Sequence, residues 1–246
     1  MPHRNTPIGK PATTSYKEAV ALVDSYPRVP LTVDCVIFGF DGNFLKVLLI
    51  KCDLPPYSNL YSLLGDNVKS NEDLDQAAHR VLFERTGMKN VYLEQVRSFG
   101  KPHRHPGGRV VTTVYASLLN IKDHALSITD HDLDWHSIDT ITEMAFDHKE
   151  ILEACVTWLR KRIQEHPLAF NLLPPQFSLR QLQNVYESIL NCKLDRRNFR
   201  KKFAAMGYLI DTHQLESEVT HRPGKLYAFD FTAYEQRKKN DIGIDF

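Results

Sequence analysis

Cysteine is scarce in this chain, and no apolar run is long enough to cross a membrane. The 246 residues contain no C-x-x-C pair and only four cysteines: Cys35, Cys52, Cys155 and Cys192. Such wide spacing fits neither a disulfide framework nor a zinc knuckle. The longest apolar runs, at 36–40 and 47–50, are far shorter than the roughly 18 residues that a membrane span requires. We therefore expect a protein of the reducing cytoplasm that has no membrane partner.

The chain also has little net charge and no sign of a secretory signal. Residues 1–12 contain three prolines and two basic residues but no apolar segment, so we expect no signal peptide. Lysine and arginine number 31 against 30 acidic residues, and the hydrophobic share of 42% is typical of a soluble globular protein. The basic residues are nevertheless concentrated, because residues 193–202 hold six cations and one acid. Such a run is either a solvated helix face or a contact for a polyanion.

The first part of the chain, 31–165, mixes strand and helix patterns and predicts an α+β domain. Strands are predicted at 31–40, 44–50, 91–99 and 109–119. Helices with one apolar face are predicted at 70–86 and 151–165. Asp41-Gly42-Asn43 predicts a tight turn between the first two strands, and Ser70 is predicted to cap the first helix. Residues 1–30 are interpreted as an N-terminal extension.

The remainder of the chain predicts a second, smaller domain. A stretch with three prolines, 166–175, is interpreted as a linker that passes movement between the domains. Residues 176–232 then show two short helices, with Asp195 capping the second, followed by two strands. This order is that of a winged helix, in which the second helix enters the DNA major groove. Residues 233–246 are interpreted as a C-terminal tail.

A segment of the first domain resembles the Nudix box, G-x5-E-x7-R-E-U-x-E-E-x-G-U, where U is a bulky aliphatic residue. Asp66 stands at the first glycine of that motif, and the matching positions are Glu72, Arg80, Glu84, Gly87 and Met88. Nudix enzymes hydrolyse a nucleoside diphosphate that is linked to another group. Their helix carboxylates, three and four residues apart, hold divalent cations beside the pyrophosphate.

Two of the three helix carboxylates of the box are missing here. Val81 stands at the first acid and Arg85 at the last, which leaves Glu84. A valine cannot ligate a metal ion, and an arginine repels one. We therefore expect no catalytic residue, no bound metal and no cofactor. Glu72 and Glu84 are interpreted as surface acids on a helix that also carries Arg80 and Arg85, with pairing between residues four apart.

The degenerate box and the winged helix at 177–229 together resemble the Nudix-related transcriptional regulators, bacterial proteins that fuse a catalytically disabled Nudix domain to a DNA-binding domain. The resemblance implies an N-terminal Nudix-like α/β/α sandwich with a mixed sheet and a smaller C-terminal winged helix-turn-helix domain. It also implies a homodimer whose Nudix domain binds a metabolite. Members of this family respond to ADP-ribose in the control of NAD metabolism or to a pentose in the control of sugar catabolism.

Two sets of binding residues are predicted. The effector-binding residues are Lys51, Arg104 and Arg109, because the loop before Arg109 is expected to overhang the Nudix cleft. His103 and His105 in this loop are interpreted as an exposed turn rather than a metal clip. The DNA-binding residues are Arg196, Arg197, Asn198, Arg200 and Lys201 on the second helix, with Arg222 and Lys225 on the wing.

The predicted function is that of a DNA-binding regulator of sugar catabolism or NAD metabolism genes, with repression as the expected direction. Its dimer would bind a double-stranded operator and release it when a pentose, a sugar phosphate or ADP-ribose enters the Nudix domain. The alternative is a Nudix hydrolase that acts weakly on ADP-ribose or a related nucleoside diphosphate, and a binding-only scaffold is the third possibility. The missing acids favour the regulator over the hydrolase, and the basic wing favours it over the scaffold.

Overall fold

The computed structural model of the protein describes residues 28–122, 133–217 and 222–238. Most of the predicted N-terminal extension, up to residue 27, lies outside the described residues, and so does the predicted tail from residue 239 onward. In the part of the chain that is described, no helix combines the length and the hydropathy that a membrane span needs.

The described residues of the first domain form one mixed sheet of seven strands. They are β1 (Leu31–Phe40), β2 (Leu45–Lys51), β3 (Tyr61–Ser62), β4 (Leu64–Asn67), β5 (Glu94–Phe99), β6 (Val111–Asn120) and β7 (Leu133–Ser137). The main order is β3-β2-β1-β6-β5, with β1 antiparallel to β2 and parallel to β6. Between β1 and β2, the Asp41 carboxylate accepts hydrogen bonds from the amides of Asn43 and Phe44 at 2.9 and 2.8 Å. The predicted hairpin is confirmed.

Each face of this sheet is covered by one helix, α1 (Leu74–Thr86) or α2 (His148–Glu165). Successive side chains of β1 alternate between the two faces. Val33 and Cys35 pack in one apolar cluster with α1, whereas Val36 and Phe38 pack in another with α2. The predicted α/β/α sandwich with a mixed sheet is therefore confirmed.

The helix boundaries differ from the predicted ones at their N-terminal ends. The cap of α1 is Asp73 rather than Ser70, because Asp73 exchanges hydrogen bonds with Gln76 in a capping box, at 2.8 and 3.0 Å. The residues before Asp73 form a turn rather than a helix, and within it the Lys69 amide donates to the Glu72 carboxylate at 2.8 Å. The second helix, α2, begins three residues before the predicted start at 151.

The second domain is a winged helix, as predicted. Its elements are β8 (Phe177–Ser178), α3 (Leu179–Leu190), α4 (Arg196–Met206), β9 (Leu209–Leu215), β10 (Lys225–Phe229) and α5 (Phe231–Lys238). The strands form a sheet of order β8-β10-β9, and the wing is the β9–β10 hairpin. Asp195 caps α4, and its carboxylate accepts from the Asn198 amide at 2.8 Å. Residues 233–238 of the predicted tail belong to α5.

The predicted linker, 166–175, is partly helical and packed. It contains a 3₁₀ helix, Leu168–Leu172, in which Ala169, Phe170 and Leu172 are buried. The Phe170 ring stacks on Phe229 with ring centroids 4.2 Å apart. The prolines limit the segment to a short helix, but its apolar residues still pack because they lie between two apolar surfaces.

The two domains share one hydrophobic cluster, which runs from the α2 face of the sheet to the winged helix. Hydrogen bonds between described residues also cross between them. The Leu45 amide donates to Ser188 Oγ at 2.8 Å, Arg160 Nε to the Ile189 carbonyl at 2.9 Å, and the Tyr186 hydroxyl to the Ile163 carbonyl at 3.4 Å. The winged helix therefore lies fixed against β2 and α2.

Candidate functional site

A cavity of about 370 Å³ opens in the first domain between the sheet and the loops that follow β2 and β5. Its size lies within the range of about 300–1,000 Å³ that is usual for small-molecule sites. The charged lining residues are Asp34, Lys51, Asp53, Asp66, Arg85 and Arg104. Cations and acids are thus both present, which suits a ligand that carries phosphates and hydroxyls.

A buried charged group borders one side of this cavity. Arg104 donates two hydrogen bonds to Asp147, at 2.8 and 2.7 Å, in the bidentate geometry that guanidinium and carboxylate favour. The Arg104 guanidinium lies 3.9 Å from Asp34 Oδ2, and His148 Nε2 lies 3.6 Å from Asp34 Oδ1. Both distances exceed hydrogen-bonding range, so the Asp34 carboxylate retains acceptor capacity toward the cavity.

The protonation of His148 follows from its surroundings. Its Nδ1 accepts the Leu63 amide at 3.0 Å, so the ring proton lies on Nε2, the side that faces Asp34. Burial lowers the pKa of His148, because desolvation disfavours the imidazolium. A neutral imidazole therefore presents an N–H toward Asp34.

Aromatic rings form another part of the cavity wall. Phe146 stacks on His105 with centroids 5.1 Å apart and an interplanar angle of 13°, and Tyr57 lies 4.7 Å from the Phe146 ring. Phe146 has a positive φ of 56°, a left-handed conformation that is uncommon for a bulky residue. Such backbone strain costs on the order of 1–3 kcal/mol and is characteristic of functional sites. Phe146 is half-buried and lines the cavity, so part of its side chain is accessible to a ligand.

The acids of the degenerate box are bound by one arginine. Arg80 forms ion pairs with Asp66 at 3.1 Å, with Glu72 at 2.7 Å and with Glu84 at 3.0 Å. Hydrogen bonds from Arg80 lower the pKa of Glu72 to about 2. Glu84 pairs with Arg80 four residues away on the same helix, as predicted, whereas Glu72 precedes the helix and its side chain is only 11% exposed, so it is not the surface helix acid that was predicted. Val81 is 1% exposed in the cluster beneath α1, so this position serves the core.

These residues do not fit the divalent cation of a Nudix hydrolase. Each of the three acids is paired with Arg80, and Arg85 brings a positive charge to the cavity wall. Among the residues that the structure describes, no three metal-ligating side chains lie close enough together to hold an ion.

The structure brings together some of the predicted effector residues and separates others. Lys51 and Arg104 line the cavity, together with His105. Arg109 is exposed and outside the lining, because the 100–108 loop closes on itself through the His105–Gly108 bridge. The prediction missed Asp34, Phe146 and His148, three residues that line the cavity. One signal was available for Asp34, since an acid inside the apolar strand LTVDCVIFGF is rarely buried without a purpose.

A second cavity, a basic cleft of about 770 Å³, lies in the winged helix between α3, α4 and the wing. Six cations line it: Arg180, Arg196, Arg197, Arg200, Arg222 and Lys225. Among the described residues, Glu216 is the acid in the lining; it accepts a hydrogen bond from the Gly224 amide at 2.9 Å and so holds the wing. The strong excess of positive charge suits a phosphate backbone.

The orientation of α4 explains why its arginines face solvent. Phe199 and Phe203 are buried on the other face, where their rings lie 5.7 and 5.3 Å from Tyr186. Asn198 and Lys201, which were also predicted to bind DNA, are exposed but outside the cleft. The prediction missed Arg180. Its signal is a cation in the first turn of α3, where the helix dipole disfavours positive charge.

Comparison with known proteins gives the family of this chain. The NUDIX domain profile matches residues 28–155, and the profile of the NrtR DNA-binding winged helix domain matches residues 169–229. Over 217 residues the chain is 34% identical to the ADPR responsive transcriptional repressor NtrR of Acinetobacter baylyi, covering 85% of this chain and 86% of that protein. The chain belongs to the Nudix-related transcriptional regulators.

Two solved structures of a related regulator have a similar fold. The regulator resembles Shewanella oneidensis NrtR complexed with a 27mer DNA, with a TM-score of 0.73 and 29% identity over 83% of this chain and 95% of that one. Its first domain resembles the NUDIX domain of the same NrtR complexed with ADP ribose, with a TM-score of 0.51 and 28% identity over 59% of this chain and 99% of that one. The winged helix profile begins at 169, within the 3₁₀ helix that packs on the aromatic core.

Proposed function

We propose that this regulator is a transcriptional repressor that binds operator DNA through the basic cleft and is controlled by ADP-ribose in the Nudix cavity. The observation that carries the proposal is the basic cleft, formed by α4 and the wing of an NrtR-type winged helix. A transcriptional repressor in Acinetobacter baylyi that is similar over most of this chain supports the direction of control.

The DNA contacts divide into two classes. Arg197 and Arg200 are exposed on α4, the helix that enters the major groove in winged helix proteins, and we assign them to guanine edges. Arg180 and the wing cations are assigned to phosphates, which position the protein without reading sequence. A homodimer would present two such helices to a palindromic operator in the cytoplasm.

The chemistry of the cavity favours ADP-ribose over a pentose or a sugar phosphate. An adenine ring can stack on Phe146, vicinal ribose hydroxyls can donate to Asp34, and a diphosphate can pair with Lys51 and Arg85. A pentose has hydroxyls for Asp34 but neither an adenine ring for Phe146 nor phosphates for the two cations. The proposed targets are therefore NAD metabolism genes rather than sugar catabolism genes, and the bound ADP-ribose is released intact.

A mobility-shift titration tests this proposal with DNA that the protein itself selects from a random library. We expect tight binding to a palindromic sequence and its release by ADP-ribose, whereas ribose and ribose 5-phosphate leave the complex intact. Chromatography of the ADP-ribose after incubation with Mg²⁺ should show no hydrolysis. Failure to select any DNA sequence would contradict the proposal, and so would release by ribose alone.

A further inference from the structure

A diphosphate in the Nudix cavity needs positive charge close to it. Nudix hydrolases supply that charge with divalent cations held by the helix acids, and the acids of this chain are engaged otherwise. Arg80 binds Asp66, Glu72 and Glu84 within 3.1 Å, and Lys69 lies 3.6 Å from Glu84. A cation that entered here would have to displace the guanidinium from three carboxylates.

The replacement charge is on the same helix. Arg85 lies in the last turn of α1, and its exposed side chain lines the cavity together with Asp66 and Asn67. A basic residue in a last helical turn is favoured by the helix dipole, but that effect does not require the side chain to reach a ligand cavity. The same dipole places partial negative charge near this end of α1 and would disfavour a phosphate without a compensating cation.

We propose that Arg85 takes the place of the divalent cation, so that the cavity binds the diphosphate of ADP-ribose without a metal ion. The guanidinium fork matches two phosphate oxygens at once, and Lys51 adds a second cation from β2. This inference rests on the proposed effector. It adds that Mg²⁺ does not strengthen binding, because the ion and Arg85 would compete for the same oxygens.

Calorimetric titration of the full-length protein with ADP-ribose, in EDTA and in excess Mg²⁺, tests the proposal. The wild-type protein is expected to bind in EDTA at least as tightly as in Mg²⁺. Arg85→Glu should weaken binding in EDTA by about 10- to 100-fold, since a charge-assisted contact is lost and a repulsive one is created. Arg85→Lys should retain part of the affinity, because it keeps the charge without the fork.

Arg109→Glu provides the matched control, because it makes the same charge change at an exposed residue outside the cavity. It should bind ADP-ribose like the wild type, and thermal unfolding should show that both glutamate variants are folded. Binding by the wild type only in the presence of Mg²⁺ would overturn the proposal, as would unchanged affinity of Arg85→Glu in EDTA. If the wild type binds no ADP-ribose in either buffer, the proposed effector is wrong, which is a different result.

Discussion

At the scale of single residues, Arg80 decides what the acids of the degenerate box can do. One guanidinium contacts Asp66, Glu72 and Glu84 and also donates to the Asn67 carbonyl at 2.8 Å. These contacts join β4 to α1, so the acids stabilise the fold at the place where a hydrolase would hold its metal. These ion pairs stabilise the protein only while the carboxylates are ionised, so the stability that they contribute is lost at acid pH.

Replacing Glu72 with glutamine should expose this sensitivity. The folded-state pKa of Glu72, about 2, lies below its ordinary value of 4.5. The ionised group therefore stabilises the protein above about pH 4.5, and this contribution is lost as the pH falls toward 2. We expect Glu72→Gln to lower the unfolding temperature at about pH 6 and to differ less and less from wild type toward about pH 3. Glu153→Gln, an exposed acid on α2, is the control and should show no such trend.

At the scale of elements, α1 uses for core packing a helix position that carries an acid in the Nudix box. Val81 lies in the same buried cluster as Ala77, Ala78 and Leu82, against the β1 side chains. Val81, which stands where the Nudix box has an acid, is shielded from water. A glutamate at position 81 would restore the motif residue but would lie in an apolar cluster.

We expect Val81→Glu to destabilise the protein by about 3 kcal/mol or more, because it buries a carboxylate without a partner. It should gain no hydrolysis of ADP-ribose. Urea unfolding and product chromatography measure the two effects. His79→Glu makes a similar change on the exposed face of α1 and should stay within about 0.5 kcal/mol of wild type. A Val81→Glu protein of wild-type stability would show that this face of α1 is not closed.

The recognition helix α4 supports a prediction on specificity. Arg197→Ala should weaken binding to the selected operator by roughly 1–3 kcal/mol and affect random DNA less, because it removes the proposed base contact. Arg180→Ala should weaken both DNAs alike and lower the slope of log affinity against log salt concentration by about one, because it removes the proposed phosphate contact. Lys161→Ala, an exposed lysine on α2 outside the basic cleft, is the control in filter-binding titrations. Equal loss of specificity in both arginine variants would contradict this division of roles.

Most elements could be predicted from the sequence because their signals are local. The β1–β2 hairpin, the apolar face of α1 and the order of the winged helix each follow from spacing within a short window. The roles of Asp34 and Arg180 depend on which distant segments meet them, and no spacing shows that. The 3₁₀ helix within the 166–175 segment could not be predicted, because prolines mark a boundary and a helix of five residues is too short to show a period.

At the scale of the whole molecule, the two domains meet across a packed boundary. The Leu45 amide of β2 donates to Ser188 on α3, and Arg160 of α2 donates to the carbonyl of Ile189. A ligand can change DNA affinity only as far as its own affinity differs between the two states. Since the 3₁₀ helix is buried, we expect these direct contacts to carry the coupling.

The double variant Arg160→Ala, Ser188→Ala should therefore weaken control more than binding. The affinity for ADP-ribose without DNA and the affinity for DNA without ADP-ribose should change little. The factor by which ADP-ribose lowers the DNA affinity should fall toward one. A Gly-Ser insertion after Pro175, at an exposed site beyond the 3₁₀ helix, should leave that factor in place. The opposite pattern, with control lost only on insertion, would assign the coupling to the chain connection.

The burial of Phe170 has a further consequence for how the protein melts. Its ring touches Phe177 and Phe229 of the winged helix, while the cluster around it continues into the sheet of the first domain. Neither half can lose its structure without exposing apolar surface of the other. A calorimetric scan should then show one heat-absorption peak whose van't Hoff and calorimetric enthalpies agree, as for a single cooperative unit.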